Sequence, residues 1–232
     1  MILVYADHDR GELDPLALQV VSAARGLDAD VHALVVGPNA EKCVDDLASA
    51  GVRTVHHGTS AAIDDYTPRA NANAVITVMD RLEPRAVLAA GTPRGSEVLA
   101  HVASIKDLPL VTECSEIALT GSGTAEVTRA RWGGNLLERS EVSADVLLAT
   151  VQAHAFAVSE DAGDAQVEAF DVLVTDADLE VSIVERTGAA ETGVGLAEAK
   201  VERNLLGTVK VSPSASVVAV MVLAVPMVMQ WP

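Results

Sequence analysis

A glycine-bounded turn, Gly91-Thr92-Pro93-Arg94-Gly95, lies between an apolar run and a helical pattern, and its residue types suit ligand binding. In doubly wound sheets, ligands bind at strand-to-helix turns outside the carboxyl ends of the strands. Free backbone N–H groups at a helix start could hold a phosphate there, with the Arg94 guanidinium adding charge. Gly91, Thr92, Arg94 and Gly95 are therefore the candidate cofactor-binding residues. The plainer reading is a turn that merely needs Gly and Pro. A second cluster, Arg129, Arg131, Trp132, Gly133, Gly134 and Asn135, sets basic and turn residues into an acidic chain. By itself it reads either as a contact surface or as a β-turn whose flanking arginines pair with local acids.

Other reactive residue types form no constellation. His8 stands between Asp7 and Asp9, but neighbours along a strand alternate faces and would not converge on a metal or a proton. A solvated loop is expected there. His56 and His57 lack a third ligand. Cys43 and Cys114 are far apart with no C-x-x-C spacing, which suggests neither a disulfide framework nor a zinc site. There is no G-x-S-x-G elbow, and the first strand–helix turn carries no G-x-G-x-x-G or P-loop. No catalytic residue and no metal ligand is assigned, and a hydrolase or classical dehydrogenase has little support.

The elements that must position these residues alternate through the first half. Apolar runs at 2–6, 31–36, 52–56, 86–90 and 108–111 read as strands. Between them, helices are expected from Asp14-Pro15, from Asn39 through about Ala50, from about Tyr66 to Leu82 behind Asp64-Asp65, and after Gly95. Strand–helix alternation predicts a parallel sheet with helices on both faces. After about residue 112 the helical periodicity gives way to short β-like runs at 117–119, 126–131, 146–151, 167–174 and 179–185. Gly121-Ser122-Gly123 reads as a hairpin turn, and residues 159–166 as a loop. The fold class is thus α/β, with antiparallel strands added to a parallel sheet.

The totals bound the function. With 232 residues and half of them apolar, one domain of usual size has ample core. Aromatics make up only 3%, so Val, Leu, Ile and Ala must fill it. A formal net charge of -17 repels phosphate backbones and argues against a nucleic-acid partner. Such acidity, with lysine only at Lys42, Lys106, Lys200 and Lys210, suits strong salt, where screening relieves self-repulsion. The start of the chain has no basic n-region, so no signal peptide is expected and the cytoplasm is the expected compartment. From Arg203 to Pro232 there is no Asp or Glu. The run Val217–Met229, broken by Pro226, is too short for a stable membrane span.

Taken in order, several segments resemble electron-transfer flavoprotein α subunits. They are Tyr5-Ala6-Asp7-His8-Asp9-Arg10-Gly11-Glu12-Leu13 with the Pro15 helix, Val31–Gly37, Tyr66-Thr67 and Gly91–Gly95. Leu108-Pro109-Leu110-Val111-Thr112-Glu113-Cys114, Thr128–Asn135 and Thr150-Val151-Gln152-Ala153-His154-Ala155-Phe156 follow, so the set spans about 155 residues. Arg94 before Gly95 departs from the family's Gly-x-Thr/Ser-x-x-Gly-Arg-like order.

The resemblance implies a Rossmann-like domain, related in fold to adenine nucleotide α-hydrolases, over residues 1–200. It also implies an electron-transfer flavoprotein β subunit as partner in a heterodimer, with FAD in the heterodimer and AMP in the partner subunit. Acyl-CoA or other dehydrogenases would be donors, and a quinone oxidoreductase or similar acceptor would take the electrons. On that view Arg129, Arg131, Trp132, Gly134 and Asn135 form an interface with the β subunit or the flavin region. The family's strand and Gly-Gly-Arg-Gly-type loop near residue 200 are replaced by Glu202-Arg203-Asn204-Leu205-Leu206-Gly207. Residues 201–232 are accordingly expected to be a non-matching tail, frameshifted or truncated, with FAD binding by this chain alone not expected. The alternatives are an adenine-nucleotide-binding regulatory module of universal-stress type and a non-functional truncated product.

Overall fold

The computed structural model describes residues 1–121, 123–159, 161, 163–181 and 183, and the backbone of three short strands beyond residue 199. Contacts divide the chain into two units, Met1–Val184 and Glu185–Pro232. In the second, β12 (Lys200–Arg203), β13 (Val209–Ser212) and β14 (Ala219–Met221) pair antiparallel in that order.

The first unit is a doubly wound, Rossmann-like layer structure. β1 (Ile2–Tyr5) is fully buried and central, is followed by a small antiparallel hairpin of β2 (His8–Asp9) and β3 (Glu12–Leu13), and pairs in parallel with β4 (Val31–Val36) and with β6 (Ala86–Ala90). β5 (Thr54–Thr59) lies beyond β4. Side chains on a strand alternate faces, so Ile2 and Val4 join one core with α1 (Pro15–Leu27) and α2 (Val44–Ser49). Leu3 and Tyr5 join the opposite core with α3 (Pro68–Leu82) and α4 (Pro93–Lys106). Both strand faces are apolar because both are covered.

Local chemistry sets the helix starts. Asp14 accepts from Leu16 N at 2.9 Å, and Pro15 opens α1. Thr92 accepts from Gly95 N at 3.0 Å at the start of α4, a cap worth about 1 kcal/mol. Three starts differ from expectation. Asn39 adopts a left-handed conformation without a side-chain cap, and a 3₁₀ turn at Ala40–Cys43 precedes the short α2. α3 begins at Pro68 behind Thr67, because Pro fits the first helical position while the preceding residue is held extended. α4 begins at Pro93, inside the glycine-bounded turn.

The second half is only partly antiparallel. β7 (Leu110–Gly121), β8 (Thr124–Arg131) and β9 (Leu136–Ser143) form an antiparallel meander ending at a free edge. The expected run at 117–119 and the end of the one at 108–111 belong to one long strand, and β9 was hidden because Leu-Leu-Glu-Arg-Ser-Glu-Val-Ser shows no clean alternation of apolar and polar residues. β10 (Leu147–Val151) is parallel and inserts between β6 and β7, since all five residues are buried and need neighbours on both sides. β11 (Gln166–Asp171) is also parallel and adds to β5 at the far edge.

The connection from β10 to β11 has no helix among its described residues. Polar contacts with the α1–α2 side tie it down. Gln19 accepts from His154 N at 2.8 Å, Ser22 Oγ accepts from Ser159 N at 3.0 Å, and Asp161 bridges Arg25 at 2.9 Å and Arg53 at 3.2 Å. The strand expected at 179–185 is not found in its described part. Asp178 Oδ2 accepts from Thr175 N and Oγ1, at 2.9 and 2.7 Å, and winds Asp176–Leu179 into a 3₁₀ turn. Part of that segment lies outside the described residues.

Candidate functional site

The strand order reverses between β1 and β6, and this is where doubly wound folds open a ligand crevice. Asp7 follows β1, Gly37 follows β4, and Gly91, Thr92, Arg94 and Gly95 follow β6, so the candidate loop does reach this point. Three donors at this turn are already used within the chain. Gly95 N bonds Thr92 Oγ1, Ser96 N bonds Thr92 O at 2.9 Å, and Gly91 N bonds Val151 O at 2.8 Å. Gly95 is also required by close approach, because a Cβ there would run into the Ala90 carbonyl. The Glu113 carboxylate packs against Gly91, and burial raises its pKa.

Arg94 turns back into the crevice. Its Nη1 lies 3.4 Å from His8 O and 3.8 Å from Asp7 Oδ2, and Nη2 is 4.0 Å from Asp9 Oδ1. Its Cζ stands 4.6 Å over the Tyr66 ring, a cation–π contact. Tyr66 donates to Glu97 Oε2 at 2.9 Å, and Asn71 Nδ2 donates to the Tyr5 hydroxyl at 2.9 Å. Burial pushes the Asp7 carboxyl up to about 6, against the pull of Arg94, and raises both tyrosine hydroxyls. The remaining cavity is about 30 Å³. That holds a water or two, whereas ligand pockets run to roughly 300–1,000 Å³.

His8 is half-buried here rather than solvated. Its Nδ1 accepts from Gly11 N at 3.1 Å, which leaves Nε2 protonated to donate to Val36 O at 3.0 Å. Burial lowers its pKa. Beside the crevice runs a groove of about 610 Å³ lined by Asp7, Asp9, Glu12, Asp14, Pro93 and Arg94, among others.

A second titratable group lies on the α3 side. Buried His56 places Nε2 2.9 Å from His32 Nδ1, while Arg81 donates to His56 Nδ1 at 2.8 Å and to Glu168 at 3.1 Å. Arginine only donates, so His56 Nε2 carries the proton and points it at His32. Burial and the neighbouring His32 push the His56 pKa down to about 4. Among the described residues, no three His, Cys, Asp or Glu side chains are placed to hold a metal. Both cysteines are buried, and Cys114 is pushed up to about 11.

The other candidate cluster sits at the β8–β9 turn. Arg129 and Arg131 both pair with Glu138, at 2.9 and 3.2 Å. Trp132, Gly133 and Gly134 take positive φ values of 55°, 65° and 88°, and Asn135 Nδ2 donates to Trp132 O at 2.8 Å. The turn holds Trp132 81% exposed, next to Leu137 at 75% and Leu136 at 54%. Leu136 and Leu137 were missed in the sequence, although two leucines directly after a Gly-Gly-Asn turn on an acidic chain were the available signal.

The described residues do not fit FAD. A pyrophosphate in the groove would meet Asp7, Asp9, Glu12 and Asp14, and the only arginine of that lining, Arg94, is already engaged. Nothing favours the adenine-nucleotide regulatory alternative. No helix among the described residues is long and apolar enough to cross a membrane.

Residues 2–175 match the family model of the electron transfer flavoprotein domain. The chain is 25% identical to the electron transfer flavoprotein subunit alpha of Thermoanaerobacterium thermosaccharolyticum over 86% of its own length and 63% of that protein. It is 30% identical to the corresponding subunit of Pseudomonas aeruginosa, over 72% of this chain and 53% of the relative. The LctC subunit of the NAD(+),ferredoxin lactate dehydrogenase of Acetobacterium woodii is 25% identical, over 59% and 34% respectively. The chain therefore spans less than two thirds of the length of these curated relatives. The match over most of the chain, on a doubly wound domain with a β-meander edge, shows that it belongs to the electron transfer flavoprotein domain family.

Proposed function

We propose that this chain is a subunit of a flavin-dependent electron carrier, taking electrons from acyl-CoA or other dehydrogenases and passing them to a quinone oxidoreductase or similar acceptor. It works in the cytoplasm and does no substrate chemistry of its own. Its part is docking and orientation, and the flavin, held in the heterodimer, supplies the redox chemistry. FAD contacts come from outside the described residues, AMP belongs to the partner subunit, and the segment from 201 onward is not part of the carrier domain.

The observation that carries this reading is the β8–β9 turn. A tryptophan and two leucines are held in water at a turn with two arginines and no acid between Arg129 and Leu137, on a chain of net charge -17. Exposed aromatic and apolar side chains of this kind mark contact surfaces. We assign Arg129, Arg131, Trp132, Gly134 and Asn135, with Leu136 and Leu137, to the contact with the electron-transfer flavoprotein β subunit.

The test is binding to purified β subunit from the same organism, read by size exclusion and titration calorimetry. A heterodimer is expected, and Trp132→Ala should weaken it by roughly 30-fold, the effect of a hot spot of about 2 kcal/mol. No association of the unaltered chain, or undiminished association of the variant and of Leu137→Ala, would overturn the assignment.

A further inference from the structure

We propose that Arg94 is an internal ligand: its guanidinium fills the switch-point crevice and keeps this domain closed to nucleotides. The guanidinium meets three kinds of partner there. Tyr66 offers a ring face at 4.6 Å, His8 a carbonyl at 3.4 Å, and Asp7 and Asp9 carboxylates at 3.8 and 4.0 Å. A flat cation with donors around its rim suits that set, and a phosphate does not. Gly91 N, Gly95 N and Ser96 N also have partners already, in Thr92 and in backbone carbonyls, while the Glu113 carboxylate lies against Gly91.

The fit is close but not dry. About 30 Å³ remains beside the side chain, and one buried acceptor lining it, Asn71 Oδ1, has no protein partner. Arg94 thus occupies the crevice, and a nucleotide phosphate would have to lie in the groove beside it, against Asp7, Asp9, Glu12 and Asp14.

Emptying it should therefore leave a site for a guanidinium-type organic cation. Arg94→Ala is compared with Arg53→Ala, a half-exposed arginine paired to Asp161 outside the crevice. Thermal unfolding of the full chain is followed with millimolar ethylguanidinium. Arg94→Ala should lose several degrees and regain at least half of that loss saturably, with no gain for Arg53→Ala or the unaltered chain. Arg94→Lys keeps the charge without the flat fork, so its Tm should fall between the two. AMP added to the unaltered chain should give no saturable change in Tm or in calorimetric heat. Saturable AMP binding by the unaltered chain would overturn the proposal. So would a Tm of Arg94→Ala that responds to ethylguanidinium no more than that of Arg53→Ala. Should Arg94→Ala fail to fold, the AMP titration of the unaltered chain still decides it.

Discussion

Two buried groups titrate in the same pH window with opposite effects on stability, and separating them tests the electrostatics of the fold. His56 has its pKa pushed from 6.5 to about 4, so the unfolded chain binds more protons between those values. Its contribution is complete above pH 6.5 and is lost as the pH falls toward 4. Asp7 is raised from 3.8 to about 6, so there the folded chain binds more protons. Its burial is tolerated below pH 3.8 and becomes costly as the pH rises through 6. One pKa unit corresponds to about 1.4 kcal/mol, so each group swings stability by on the order of 3 kcal/mol, in opposite directions. Both side chains are well buried, so solvent screens little of this.

The assay is urea unfolding followed by far-UV circular dichroism at about pH 7 and about pH 4.5, on the unaltered chain, His56→Gln and Asp7→Asn. The remaining carboxylates form a background common to all three. On acidification, Asp7→Asn should lose about 2 kcal/mol more than the unaltered chain, and His56→Gln should fare better by about 2.5 kcal/mol. Variants that both track the unaltered chain, or that depart from it in the same direction, would refute the burial argument for these residues.

Further outcomes follow from packing and charge. Gly95→Ala should destabilise by about 1–3 kcal/mol, since its Cβ meets the Ala90 carbonyl and relief requires moving the first turn of α4 off Thr92. That corresponds to a drop in Tm of about 2–10 °C, measured by scanning calorimetry. With a net charge of -17, the Tm of the whole chain should rise by several degrees from low to molar KCl. A steady fall would rule out adaptation to strong salt.

Much of the parallel core was legible because both faces of β1 and β6 are apolar and two of the helices, α1 and α4, carry side-chain caps. Asp14-Pro15 marks α1 without ambiguity, and the run Ala86–Ala90 can only be interior. The order of the sheet was not legible. Nothing in Leu147–Val151 says that it slips between β6 and β7, because a strand buried on every side has no periodicity to show its direction. The candidate loop was located correctly in the chain, but its state was hidden. Whether Arg94 faces solvent or folds over Tyr66 depends on residues 28 positions apart, and the capping of Gly95 by Thr92 only becomes visible once α4 starts at Pro93. His8 shows the same limit. Its burial comes from Val36 across the sheet, not from its aspartate neighbours.

The placement of β11 also bears on the order in which the domain assembles. Its register with β5 pairs Gln166 with Thr54, a separation of 112 residues, whereas β1 and β4 join across 29, from Ile2 to Val31. Closing so long a loop is entropically costly and slow, and β11 gains only one strand neighbour in return. On a ribosome, eight strands of the sheet are already synthesised before β11 emerges. The edge of β5, with Arg81 and His56 beside it, therefore waits unpaired until residues 166–171 have been made. β11 is then the last strand to dock and the first to be released, so its amides should exchange with solvent long before those of β1.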